Sequence, residues 1–257
     1  MCSAALAAQN FEEVHLLTFL EQATIHSPWP IENKKRLEEK YPQTTFIFNV
    51  FSTDKIVSFL SYQGFLKNIC KFHFYNLVTP GLSSLSWHIR TISYCLEHNI
   101  KVVFDGMTKE LLHLPGHMPE IRVLFQKLYS DFDIEFSSMV IDWEVPEDQR
   151  FMDRLIVDRH GFSILPARKS RTTGEWLYEQ GLLPHKNVKG SEFDRLMQHD
   201  CYPFIVYNML VFWFFEPLIG LEAFKLNLEK FMTTKVQQGK FLLEQGSNLI
   251  HSKAENA

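Results

Sequence analysis

Asp105-Gly106 closes the apolar run Ile100 to Phe104. A carboxylate in that place can accept from ribose hydroxyls or a metal-bound water, and a glycine lets a ligand approach the backbone. The same dipeptide also makes a plain strand-to-loop turn. Ser83, Ser84 and Ser86 stand at the expected start of a helix, where hydroxyls and unpaired amides can receive phosphate oxygens, or where one serine acts as an N-cap. Arg168, Lys169 and Arg171 gather three cations within four residues of the segment His160 to Arg171, read as a loop. They suit neutralisation of a polyphosphate or of charge on a leaving group, and equally a solvated basic loop. His113 and His117 are four apart, but Leu114-Pro115-Gly116 between them breaks the helix that would set both rings on one face, so no metal site is expected there. Cys95 is expected to face the core as a small hydrophobe.

The elements that would position these residues alternate. An alanine-rich helix opens the chain and a strand follows from Val14 (VHLLTF). Ile31 to Lys40 forms a helix stopped by Tyr41-Pro42, and Thr44 to Phe51 the next strand, with Ser52-Thr53-Asp54 supplying cap chemistry for a helix after it. Ser84 to His98 carries Leu85, Ile89, Ile92 and Leu96 at helical spacing and leads into the strand Ile100 to Phe104. Helix–strand pairs with short connections predict an α/β fold: a Rossmann-like, doubly wound parallel sheet covered on both faces, with ligands beyond the carboxyl ends of the strands, after Phe19, Phe51 and Phe104. Further on the pattern predicts a helix at 120–129, a strand at 134–141, a helix at 146–159, and helices at 173–180, 191–199, 204–215 and 221–245. The division expected is an α/β domain over 1–145, a helical C-terminal extension over 146–245 packed on the same core, and a frayed tail over 246–257.

Composition narrows the function classes. The chain has 257 residues, 46% hydrophobic and 22% charged, with a formal net charge of -4 and no long basic run. Generic nucleic-acid binding is not expected. Cys2, Cys70, Cys95 and Cys201 form no C-x-x-C pair, so neither a disulfide framework nor a zinc or iron–sulfur site is expected, and a cytoplasmic setting fits. The N-terminus lacks a basic region and a long apolar run of the kind that makes a signal peptide. Tyr202 to Phe224 is long and apolar but holds Asn208, Glu216 and Pro217, which favours a buried or groove-lining helix over a membrane span. There is no G-x-S-x-G, Walker loop, H-E-x-x-H or G-x-G-x-x-G.

Two stretches together resemble the PP-loop ATP pyrophosphatases of the adenine-nucleotide α-hydrolase-like superfamily. The first is AALAAQNFEEVHLLTF followed by ENKKRLEEKYP, similar to the family's alanine-containing helix and the strand ending near Thr-Phe. The second is HIRTISYCLEHNIKVVFDG, similar to its helix leading into the strand that closes the nucleotide site. The likeness covers roughly residues 3–110. It implies ATP and magnesium as cofactors, main chain at Thr18 and Phe19 facing the adenine, and Ser83, Ser84, Asp105 and Gly106 around the nucleotide. The family's Ser-Gly-Gly-x-Asp-Ser loop, which wraps the pyrophosphate, is absent, and the sequence starts at or after that loop's last serine. Where the deazapurine and sulfur-transfer branches carry paired cysteines, this chain has Thr79-Pro80-Gly81-Leu82-Ser83-Ser84, so no metal or persulfide role is expected there.

The resemblance implies an ATP-binding protein that in complete form adenylates a substrate oxygen and releases pyrophosphate, with an unidentified small molecule as substrate and no assignable general base. The alternative is a non-catalytic nucleotide- or partner-binding module. A third reading makes Phe204 to Phe215 an interaction surface for another subunit or a membrane.

Overall fold

Apolar side chains run almost continuously along two eight-residue strands, and each face of that pair meets its own helices. The computed structural model describes residues 1–21, 29–73, 75, 79–109, 112, 114–144, 169–188, 191, 210–247 and 250. After a short helix α1 (Cys2–Ala7), β1 (Glu13–Leu20) pairs in parallel with β2 (Thr45–Ser52), Glu13 opposite Thr45 through Leu20 opposite Ser52. The crossover between them is α2 (Trp29–Lys40). Then come α3 (Asp54–Tyr62), α4 (Phe65–Phe72) and the long α5 (Thr79–His98). Side chains of a strand alternate between faces. His15, Phe19, Asn49 and Phe51 accordingly meet Tyr94, Trp87 and Arg90 of α5. Val14, Leu16 and Phe46 pack on the other face with α1 and with Leu37 of α2.

A second parallel pair, β3 (Val102–Asp105) with β4 (Glu135–Ser138), is bridged by α6 (Pro119–Ser130). A third pairs β5 (Trp143–Glu144) with β6 (Lys169–Thr172), which runs into α7 (Thr173–Glu179) through a capping box between Thr172 and Glu175. The chain is thus α/β with parallel strands, as expected, but the described strands form three two-stranded sheets rather than one continuous sheet. At the end of β3 the edge meets a side chain instead of a strand: the carbonyl of Asp105 accepts from Ser3 Oγ of α1 at 2.7 Å.

The remaining described segment is a π-helical turn (Val211–Phe215), a short α8 (Glu216–Ile219) and, after Gly220, the 24-residue α9 (Leu221–Glu244). α9 lies against α5, α6 and α3. Phe224, Leu228, Phe231 and Met232 of α9 join Leu85, Ile89 and Ile92 of α5 and Ile121 and Phe125 of α6 in the larger core. Gly239 is what lets α9 come close: a Cβ there would sit 2.5 Å from Ile89 Cδ1.

Three local expectations are corrected. α5 begins at Thr79, not Ser84, because Pro80 is tolerated in a first helical turn and Gly81 is required by the close approach of Pro115 and Met232. The fourth residue of its expected stripe, Leu96, is exposed, and Cys95 is buried in the core as foreseen. Residues 169–171, read as the end of a loop, are strand β6. The helix expected at 146–159 lies outside the described residues, as do that at 191–199 apart from Ser191 and the first residues of that at 204–215.

Candidate functional site

The carboxyl ends of β1 and β2 open onto the first half of α5, and a buried acid sits there. Glu21 follows β1 directly and is 6% exposed. Its Oε2 accepts from Ser83 Oγ at 2.7 Å, and its Oε1 from Trp87 Nε1 at 2.8 Å and from Thr53 Oγ1 at 3.2 Å. Ser86 Oγ stands 3.5 Å from Oε1, but its proton is committed to the carbonyl of Ser83 at 2.7 Å. Burial pushes the Glu21 carboxyl above its ordinary range, the charge of Asp54 adds to this, and the bonds from Ser83, Trp87 and Thr53 oppose it. The Phe19 and Trp87 rings lie nearly parallel beside this acid, centroids 6.3 Å apart. Ser52 Oγ donates to Asp54 at 2.9 Å, holding a second carboxylate past β2.

A second cluster joins the carboxyl ends of β3 and β4. Arg122 of α6 donates to Asp105 Oδ2 at 2.9 Å and to Ser138 Oγ, and Ser138 in turn donates to Asp105 Oδ1. Met107 N also reaches Oδ1, at 3.3 Å. Arg122 is buried and faces the Phe136 ring, so its charge is neutralised within the protein rather than by solvent. Next to this cluster His88 of α5 is walled by Phe125, Tyr129 and Phe136, with Nδ1 3.1 Å from Tyr129 Oη. Burial lowers its pKa to about 3, with the charges of His117 and Arg122 acting in the same sense and that of Asp105 against it. The imidazole is therefore neutral at physiological pH.

The residues singled out from the sequence fall as follows. Thr18 and Phe19 lie in β1 opposite Val50 and Phe51, leading to Glu21. Ser83 is in the second turn of α5, so it is a ligand of Glu21 and not an N-cap. Ser84 is buried against Gly116, where a Cβ would overlap it. Asp105 ends β3 as expected, already engaged by Arg122 and Ser138, and Gly106 stands beside Ser3. Arg168 and His113 lie outside the described residues. Lys169 opens β6, and Arg171 pairs with Glu179 at 2.8 Å over the Trp143 ring. Sequence reasoning missed Glu21, Thr53, Trp87, Arg122 and Ser138. Glu21 had a signal, an acid set directly after LLTFL, and so had Arg122, a cation on the apolar stripe of α6 beside Ile121 and Phe125.

Both oxygens of Glu21 are taken by hydrogen-bond donors, one of them the Trp87 indole, and Asp105 is taken by a guanidinium. Among the described residues no group of three or more His, Cys, Asp or Glu side chains is placed to hold a metal ion, so magnesium would enter with the phosphate oxygens of its nucleotide. The arrangement defines a mixed α/β protein with parallel strands and buried polar groups gathered at their carboxyl ends. Comparison of the chain with protein-family models, with curated proteins and with solved structures returns no match.

Proposed function

We propose that the chain is a PP-loop-like protein that binds an adenine nucleotide at the carboxyl ends of β1 and β2. The observation that carries this reading is the Glu21 cluster: an acid, three neutral donors and an aromatic pair at the edge where parallel α/β folds receive ligands. The Glu21 carboxylate can accept from an amine or hydroxyl of the ligand, and Ser83 and Thr53 fix its orientation. Magnesium bound with the nucleotide would offset phosphate charge, with Asp54 the second carboxylate at this edge. In the form that carries a phosphate loop the chemistry would be adenylation of a substrate oxygen with release of pyrophosphate.

One observation favours the non-catalytic alternative. Asp105 is neutralised by Arg122 and Ser138, so it ties the β3 and β4 ends together and is poorly placed to act as a general base. Equilibrium dialysis of radiolabelled ATP with magnesium, run beside a pyrophosphate-release assay, separates the readings. Saturable binding with release supports the enzyme, and binding without release supports the module. No saturable binding at millimolar ATP overturns both nucleotide-binding readings and leaves the partner-binding module.

A further inference from the structure

The apolar segment 202–224 is too broken to cross a membrane along its described part: a π turn, Pro217 and Gly220 interrupt it, and no described helix is long and apolar enough to span. Nor are the large apolar side chains at its described corner buried. Trp213 is 64% exposed, Phe214 55%, Leu218 79% and Ile219 43%, four large apolar side chains within seven residues. The one acid of this stretch, Glu216, is turned inward and buried, so the outer surface of 213–220 carries no charge.

Exposed cations adjoin the turn. Tyr75, just past α4, packs on Phe215 and Phe224, and Phe72 of α4 packs on Phe231, so α4 adjoins the turn. α4 exposes Leu66 together with Lys67 and Lys71, and Tyr62 before it is exposed as well. Glu222 beyond the turn is paired with Lys225. From their fractional exposures the four side chains of the turn offer about 500 Å² of apolar surface, a patch of the size that usually carries function. A stable protein–protein interface of roughly 800 Å² per partner is only a little over half apolar, so area does not separate a second copy from a lipid surface; the adjoining cations do. Exposed Trp, Phe, Leu and Ile next to the exposed Lys67 and Lys71 are the chemistry of attachment to a lipid–water interface.

We propose that the corner 213–219, with Lys67 and Lys71 of α4, is a peripheral attachment site for an anionic lipid surface. Apolar side chains enter the headgroup boundary and the lysines meet acidic headgroups. The proposal does not depend on the nucleotide reading. The test is co-sedimentation of the full chain with vesicles of phosphatidylcholine alone and of phosphatidylcholine with 30% phosphatidylserine, composition chosen to give about the charge of an acidic leaflet. Binding to the acidic vesicles is expected, at least tenfold weaker for Trp213→Ser/Phe214→Ser and several-fold weaker for Lys67→Glu/Lys71→Glu or in high salt. Both variants alter exposed positions, and unchanged thermal unfolding would show that they fold. Absence of binding to either vesicle overturns the proposal. So does a dimer in light scattering that Trp213→Ser/Phe214→Ser converts to monomer, since the face would then cover a second copy.

Discussion

Acidification should unload stability through one side chain, His88. Its folded pKa of about 3 lies below the ordinary 6.5 because the ring is enclosed by Phe125, Tyr129 and Phe136. A group that folds neutral gives no penalty above its unfolded pKa. As pH falls through 6.5 the unfolded chain gains a proton that the folded chain refuses, and stability drops until the folded pKa is reached. From these two values the loss between pH 7 and pH 5 is about 2 kcal/mol. That is an upper bound, because the ring keeps part of its surface open to solvent. Urea unfolding at both pH values, for the wild type and for His88→Leu, isolates this group from the other histidines. The wild type should lose up to about 2 kcal/mol more than the variant. Parallel losses in the two proteins would refute the enclosed, neutral imidazole.

Other perturbations have equally definite outcomes. Arg122→Ala removes the cation that joins Asp105 and Ser138 and should cost about 3 kcal/mol in urea unfolding, with Arg122→Lys recovering less than half; a loss under 0.5 kcal/mol, roughly the surface-substitution range, would contradict the buried pair. Gly239→Ala should destabilise by about 1–3 kcal/mol through overlap with Ile89, and Ile89→Val, which deletes the overlapping Cδ1, should recover part of it in a double-mutant cycle. Lys235 is fully enclosed in α9, donates to the carbonyl of Leu60, and is lowered to about 8 by burial. A lysine whose folded pKa is depressed gains stability as pH rises from there toward 10.5. Wild type should therefore gain about 2 kcal/mol relative to Lys235→Met between pH 7 and pH 9.5, read by unfolding at each pH.

Periodicity made much of the frame legible. The strands at 13–20 and 45–52 announce themselves by short apolar runs rich in β-branched and aromatic residues, and the helices at 29–40, 119–130 and 221–244 by composition, spacing and stops. What was not legible depended on contacts distant in sequence. Thr79-Pro80-Gly81 looks like a loop until Pro115 and Met232 are seen to require the glycine inside a helix. Lys169 to Thr172 is polar enough to read as a loop, and becomes a strand only because Trp143 and Glu144 supply its partner. Leu96 keeps the angular position of Leu85, Ile89 and Ile92 on α5 but lies exposed in its last turn, while Cys95, one step round the helix, is buried in the core. Glu21 was overlooked because its meaning lies in three donors supplied by Thr53, Ser83 and Trp87.

Hydrogen–deuterium exchange with and without magnesium–ATP tests the central claim most directly, because it locates the ligand as well as detecting it. Slowed exchange confined to peptides containing Thr18–Glu21, Thr53–Asp54 and Ser83–Trp87, and lost in Glu21→Gln, is the predicted result. That variant should fold at least as well as the wild type at neutral pH: an acid whose folded pKa is raised gives stability below its unfolded pKa that is gone once pH passes the folded one. Protection that appears only elsewhere, or that survives Glu21→Gln unchanged, would contradict the account.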